Sequence, residues 1–323
     1  MKICRVPFRV PLAGGGTDLP FYYKIKGGNF ISMSIQEYMF VYLSKRPFDK
    51  RTMIQTTSCD FYKKNSSIKN KLIRETLKYF KIKENLHIGT FTTLPTRSGI
   101  GSSSCLVVGL ITLINREYNL KLKRDDIIKI AFHIERKKSK LDGGWQDQIM
   151  AVHGGLKEVK ISKNGTFKVS NIKKNPKIKK LIHKKMILIF SKETRSSNEI
   201  IKSQEKNSEK IKLYDKLKML TPKIKTYLRK GDFSKIGNLF HFHWELKKKL
   251  SNQISNNKIN KMYEELMKSK NFLGGKIMGA GGGGFFVMIC KDYNIALRYL
   301  KKKKYKFNQI EFEDSGSKIL KFN

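Results

Sequence analysis

The sequence predicts an α+β fold in two domains, and three observations carry that expectation. The chain has 323 residues, more than a single core usually organises. Short apolar runs of strand type and longer helical patterns mix in both halves without strict alternation. A polar stretch over 160–185, with Asn-Gly and Asn-Pro turn signals, separates the halves. The division is placed at 1–180 and 181–323.

Each element follows from its local pattern. The first half opens with strand-like runs at 3–10, 29–35 and 40–44, rich in Val, Ile, Phe and Tyr. A helix is expected over 69–80 and a strand over 87–92. After a glycine-serine loop, 106–117 is apolar enough to form a buried helix. A second helix is expected over 124–137, with Asp125 and Asp126 suited to the positive end of its first turn. The 160–185 stretch reads as a hairpin and a junction. The second half begins with a strand at 186–190. Basic helices are expected at 196–213, 214–229 and 233–250, and another helix at 258–269. A strand then runs into the glycine cluster at 276–284. A strand at 285–290, a helix at 293–303 and a last strand near 308–312 complete the order. No internal repeat is visible.

Composition narrows the function classes. The 68 Lys+Arg against 26 Asp+Glu give a formal net charge of +42, which first suggests a nucleic-acid binder. The basic residues are 56 Lys and only 12 Arg, whereas Arg is the usual base reader and bidentate phosphate clamp. The charge therefore reads as a lysine bias, and no nucleic-acid partner is expected. With 39% apolar residues the chain can bury cores, which excludes intrinsic disorder. Cys4, Cys59, Cys105 and Cys290 are scattered without metal or redox spacing. Reduced, mostly buried thiols in a cytoplasmic protein are expected. The longest clean apolar run, 106–114, is too short to span a bilayer, and no signal peptide is expected.

Three glycine-rich segments carry the chemistry. The sharpest is Pro95-Thr-Arg-Ser-Gly-Ile-Gly-Ser-Ser-Ser104, between a strand and an apolar helix. Glycines let backbone approach an anion, and the helix start offers free N–H groups and its positive dipole end. The serines add hydroxyls, one a candidate magnesium ligand. The segment is not the common P-loop, because no Gly-Lys-Ser/Thr follows. A second segment, Leu12-Ala-Gly-Gly-Gly-Thr-Asp18, either admits a substrate to backbone or forms a bulged turn capped by Asp18. The third, Lys276-Ile-Met-Gly-Ala-Gly-Gly-Gly-Gly284, has more glycines than a hairpin needs, which favours close approach of a ligand or another loop. Glu135 and Asp147 lie twelve residues apart around Gly143-Gly-Trp-Gln-Asp147. Two carboxylates so placed suit a metal and a hydroxyl in phosphoryl transfer; on spacing alone, a surface ion pair and a helix cap fit as well.

In this order the segments resemble the GHMP kinase superfamily, which includes galactokinase, homoserine kinase and mevalonate kinase. The resemblance spans nearly the whole chain, through Pro7–Asp18, Pro95–Ser104, Gly144-Trp-Gln-Asp147-Gln148 and Lys276–Gly284. It implies a first domain like domain 2 of ribosomal protein S5 and a ferredoxin-like second domain. It implies ATP held by Pro95, Ser98, Gly99, Gly101, Ser102, Ser103, Ser104, Gly279 and Gly281, with Mg2+ on Ser103 and Glu135. Asp147 takes the place of the carboxylate facing the acceptor hydroxyl, and Arg9 that of the cation supporting the transferring phosphate. Gly15, Gly16, Thr17, Asp18, Gly144 and Arg195 fall at substrate positions. Gly14-Gly-Gly-Thr-Asp18 departs from the galactokinase pattern. With Leu19-Pro-Phe-Tyr-Tyr23, Thr194-Arg-Ser-Ser197 and Trp244-Glu-Leu-Lys-Lys-Lys249, it looks like the kinases that phosphorylate C1 of D-glycero-D-manno-heptose 7-phosphate for surface glycans. Arg195, Lys248 and Lys249 are the candidates for the distal phosphate. Trp145 departs toward the L-fucokinases, and there it is either a sugar-stacking ring or core. Two alternatives stand beside the heptose reading: an L-fucokinase-like or other sugar C1 kinase, and a basic RNA-binding protein on an S5-like fold.

Overall fold

In the computed structural model, residues 1–172, 176–193, 197–204 and 208–321 are described. The first sheet is laid down by β1 (Lys2–Ala13), β2 (Gly28–Lys45), β3 (Thr52–Gln55), β4 (Cys59–Tyr62) and β5 (Leu86–Thr92). Between β1 and β2 lies α1 (Pro20–Lys26), and between β4 and β5 lies α2 (Lys71–Tyr79), capped by Asn70. Then come α3 (Ser102–Glu117), α4 (Arg124–His133), α5 (Gln146–His153) and the hairpin β6 (Leu156–Ile161) and β7 (Phe167–Asn171). The chain crosses through α6 (Ile178–Lys185) to β8 (Met186–Phe190). Helices α7 (Ser197–Ser203), α8 (Ser208–Lys230), α9 (Phe233–Lys248) and α10 (Asn257–Lys268) follow. The end of the chain forms β9 (Phe272–Ile277), β10 (Phe285–Cys290), α11 (Tyr293–Lys302), β11 (Phe307–Gln309), β12 (Phe312–Glu313) and β13 (Lys318–Leu320).

The nine-stranded first sheet runs β13-β1-β2-β5-β3-β4, with β12 and β6 also paired to β2, and β7 paired to β6. Helix α3 packs on β1 and β2, and α2, α4 and α5 pack around α3. The second sheet is antiparallel in the order β11-β8-β10-β9. With its βαββαβ chain order this is the expected ferredoxin-like arrangement, and α9 covers β9 and β10.

Several expectations change. The runs at 29–35 and 40–44 are one strand, β2, with an irregularity between them. Between the pairs Pro7↔Tyr38 and Arg9↔Ser34, two steps of β1 face four of β2, a bulge that re-aims side chains locally. The helix expected to end at 137 stops as an α-helix at His133 and continues as a π-helical turn, Ile134–Lys138. The break expected at 213/214 is absent, because α8 runs unbroken through Pro222. The division at 180 falls inside α6. In space, β12 and β13 leave the second half: Lys318–Leu320 pair with Ile3–Arg5, and Phe312 pairs with Ile35. An uncovered β1 edge would expose a row of unpaired backbone groups, and β13 satisfies them.

The thiols behave as expected for buried cysteines. Cys4, Cys105 and Cys290 are buried and unpaired. Burial pushes Cys4 and Cys290 up to about 12, and pushes Cys105 up as well.

Candidate active site

The start of α3 is built by Gly99 and Gly101, both with positive φ (79° and 85°). Gly101 takes the left-handed conformation at the helix N-cap, where a side chain is disfavoured. Any Cβ there would also lie 3.2 Å from the Asp147 carboxyl carbon. Ser102 and Ser103 line the cleft in front of this helix start. Ser104 turns inward instead and is fully buried.

Behind the serines sits Glu135, fully buried on the π-helical turn. Its carboxylate accepts hydrogen bonds from Ser103 Oγ (2.9 Å), Ser104 Oγ (2.8 Å) and Gln148 Nε2 (2.5 Å). The π-turn puts Glu135 in register with α3, in keeping with the frequent placement of such turns at functional sites.

Asp147 occupies the first turn of α5. Arg9 binds it twice, with Nε and Nη2 each 2.7 Å from Oδ1, and donates from Nη1 to the Gly99 carbonyl (2.5 Å). One buried guanidinium thus ties the carboxylate to the backbone of the glycine-serine loop. Asp18 is also buried and accepts from the Gln146 N–H (2.9 Å). Burial holds its carboxyl above the usual range; the Gln146 N–H opposes this, and the charge of Asp147 adds to it. Gly144 leaves the room that Asp18 fills, since a Cβ there would lie 2.1 Å from Asp18 Oδ2.

The third glycine segment packs against other loops. A Cβ on Gly279 would lie 2.7 Å from Gly99 Cα, one on Gly281 2.9 Å from Ile254 Cγ2, and one on Gly284 2.1 Å from the Ser98 carbonyl oxygen. The Phe285 N–H donates to that same Ser98 oxygen (3.3 Å). The second sheet's glycine cluster therefore clamps the first domain's glycine-serine loop.

The cleft between these loops encloses about 230 Å³. Of the residues expected at the site, Arg9, Gly15, Gly16, Asp18, Gly99, Gly101, Ser102, Ser103, Gly144, Asp147 and Gly279 line it. Pro95, Ser98, Ser104, Thr17, Glu135 and Gly281 do not line it. Thr17 is buried with its hydroxyl on the Gly14 and Asn29 carbonyls, so it shapes the glycine turn. Thr194, Arg195 and Ser196 lie outside the described residues. Lys248 pairs with Glu245 (2.9 Å) away from the cleft, and Lys249 does not line it either. Trp145 lies flat on Phe132 with centroids 3.6 Å apart and rings 6° from parallel. It belongs to the core.

The lining also includes residues not expected at the site, among them Arg136, His243, Lys247 and Lys276. Arg136 donates to the Asp142 (3.0 Å) and Gly144 (3.2 Å) carbonyls, fixing the loop before Asp147. His243 and Lys247 reach the cleft from α9, and Lys276 from β9. Two signals mark them: Phe240, His243, Trp244 and Lys247 share one helix face at spacings of three and four, and Lys276 interrupts an apolar strand.

The models for the GHMP kinases N terminal domain and the GHMP kinases C terminal domain match residues 68–155 and 224–306, together more than half of the chain. The chain is 28% identical to a D-glycero-alpha-D-manno-heptose 7-phosphate kinase of Campylobacter jejuni, over 98% of this chain and 99% of that protein. It is 24% identical to the L-fucokinase/L-fucose-1-P guanylyltransferase of Bacteroides fragilis, over 98% of this chain but 38% of that protein. A crystal structure of a D-glycero-D-manno-heptose 1-phosphate kinase from Bacteroides thetaiotaomicron superposes with a TM-score of 0.82, at 24% identity and full coverage of both chains, and so shares the fold. A glycine-built helix start, clamped by a second glycine loop and faced by a carboxylate, is thus found in a chain that both family models match: the protein belongs to the GHMP kinase superfamily and is an ATP-dependent phosphotransferase.

Proposed function

We propose that the protein is a cytoplasmic sugar kinase that transfers the γ-phosphoryl group of ATP to the anomeric C1 hydroxyl of D-glycero-D-manno-heptose 7-phosphate, giving the 1,7-bisphosphate. The observation that carries this reading is the joint placement of Asp147, Arg9 and Gly99 on one hydrogen-bonded unit at the start of α3. The end-to-end similarity to a heptose 7-phosphate kinase supports the choice of sugar.

The nucleotide phosphates lie against the N–H groups that open α3, where backbone donors and dipole favour anions. Hard oxygen donors suit Mg2+, which usually binds few carboxylates besides substrate phosphates. Ser103 and Glu135 present such a set, with Ser103 on the cleft and Glu135 bonded to it from behind. When bound, the ion would neutralise charge on the β- and γ-phosphates. Asp147 accepts the C1 hydroxyl proton as the oxygen forms its bond to the γ-phosphorus. The bond from that phosphorus to the bridging oxygen breaks, and ADP leaves with the electron pair. An anomeric hydroxyl is more acidic than an ordinary alcohol, so positioning supplies most of the rate. Asp18, fixed by Gln146, accepts hydrogen bonds from ring hydroxyls, and Gly15 and Gly16 let the sugar approach the backbone.

The test is ADP release with Mg-ATP and, in turn, heptose 7-phosphate, fucose, mannose, galactose and mevalonate, with 31P NMR of the product. Turnover of heptose 7-phosphate alone, with a new anomeric phosphate, is expected. Preferential turnover of another acceptor would replace the assignment.

A further inference from the structure

The floor of the cleft holds positive charge that the transfer machinery does not balance. Lys276 is 1% exposed and Lys247 8% exposed, and both line the cleft. Lys276 Nζ donates to the Leu12 carbonyl (2.9 Å) and sits 4.8 Å over the Phe240 ring. Lys247 Nζ donates to the Gly279 carbonyl (2.5 Å). Among the described residues neither meets a carboxylate. Asp147 is already taken by Arg9, and Asp18 by the Gln146 N–H. An ammonium carries three donors, and here each has one hydrogen-bond acceptor. His243 lines the same cleft within reach of both charges, 3% exposed, with neither ring nitrogen partnered among the described residues. Its Nε2 faces Gly15 of the substrate loop at 4.0 Å from where a Cβ would stand.

Buried cations without counter-charge are strongly unfavourable, and the cost shows locally. Burial, reinforced by Arg9, pushes Lys247 down to about 7. Burial, with Lys247 and Arg9, pushes Lys276 well down. His243 is held neutral by burial and by the two lysines. A neutral imidazole offers one donor and one acceptor. A tetrahedral dianion would complete all three groups at once.

We propose that Lys247, Lys276 and His243 form a second phosphate cradle, separate from the start of α3, which takes a phosphoryl group entering the cleft. The cradle rests on the kinase reading of this cleft, and it replaces Lys248 and Lys249 as the cationic contribution of α9. Two carriers have the required chemistry: the phosphate of the acceptor sugar and the terminal phosphate of the nucleotide.

The experiment compares wild type with Lys276→Met and Lys247→Met by calorimetric titration and thermal melting. The probes are inorganic phosphate, heptose 7-phosphate, unphosphorylated heptose, ADP and its β,γ-imido triphosphate analogue. Met keeps the chain length and removes a buried charge, so both variants are expected to melt at or above the wild-type temperature. Both should lose at least tenfold affinity for inorganic phosphate. A matching loss for heptose 7-phosphate but not heptose names the acceptor as carrier; a loss for the triphosphate analogue but not ADP names the nucleotide. Binding of every probe within twofold of wild type overturns the cradle. Should a variant fail to fold, amine labelling of wild-type Lys247 read by mass spectrometry decides: protection by inorganic phosphate is expected, and its absence overturns the proposal. Phosphate protection in an enzyme that turns over no heptose would keep the cradle and discard the sugar. Heptose turnover without protection would do the reverse.

Discussion

At the scale of single residues, the Arg9–Asp147 contact is the centre of the site. Asp147→Asn keeps the shape but can neither accept a proton nor hold the guanidinium as an ion pair. A fall in kcat of roughly 10²–10⁴ is expected, with ADP affinity unchanged; single-turnover kinetics and an ADP titration measure the two. Trp145 is the opposite case. Its stacking on Phe132 predicts that Trp145→Ala costs about 3–5 kcal/mol of stability and leaves the sugar KM unchanged, which urea unfolding and steady-state kinetics test together. A raised KM at unchanged stability would return the ring to the sugar. The ambiguity of this residue in the sequence is physical, because an aromatic side chain after two glycines suits a ligand platform and a core equally well.

At the scale of elements, two glycine loops meet backbone to backbone. Gly279→Ala forces a Cβ to within 2.7 Å of Gly99 Cα at a φ of 64°. A loss of about 1–3 kcal/mol and weaker nucleotide binding are expected, read by melting and ADP titration. The helix ends show the reverse situation. Lys270 and Lys304, after α10 and α11, hold φ of 55°, where glycine is the usual residue. Lys270→Gly is expected to stabilise by about 1 kcal/mol, measured as a rise in Tm. Both helix ends were still legible to within one residue, at 269 and 303 against 268 and 302, although lysines stand where a glycine stop signal is usual. Short pieces such as α1, β3 and β4 escaped because a few residues carry no periodicity, and Glu135 was placed on a plain helix because a π-turn leaves no pattern in the sequence.

At the scale of the whole molecule, charge is the dominant feature. Most of the +42 belongs to exposed lysines, where each contributes little. The exception is the buried pair at the cleft. The unfolded chain holds the Lys247 proton up to about the ordinary lysine range, near 10.5, whereas the folded chain releases it near 7. Between those values the unfolded state binds more protons, so stability rises with pH. Below 7 the cost of the buried charge is fully present. The urea midpoint of the ligand-free enzyme is therefore expected to rise from pH 7 to 9, and Lys247→Met should flatten that slope. A slope unchanged by the substitution would show that the charge is compensated in the fold. The described residues contain no helix long and apolar enough to cross a membrane.

The sequence by itself determined the mixed fold, the order of its main helices and strands, and the glycine-serine loop that opens α3. Each of these rests on local information: periodicity, glycine conformations, and a strand-loop-helix succession. Only the tertiary structure decided that the glycine cluster at 276–284 clamps that loop, that β13 closes the edge of β1, and that Lys247 rather than Lys248 faces the cleft. Those outcomes depend on which face of an element meets which neighbour. Adjacent residues on a helix differ by about 100° in direction, so in the run Lys247-Lys248-Lys249 three identical side chains point to three environments. Packing of α9 against β9 and β10 selects which one is buried beside the site.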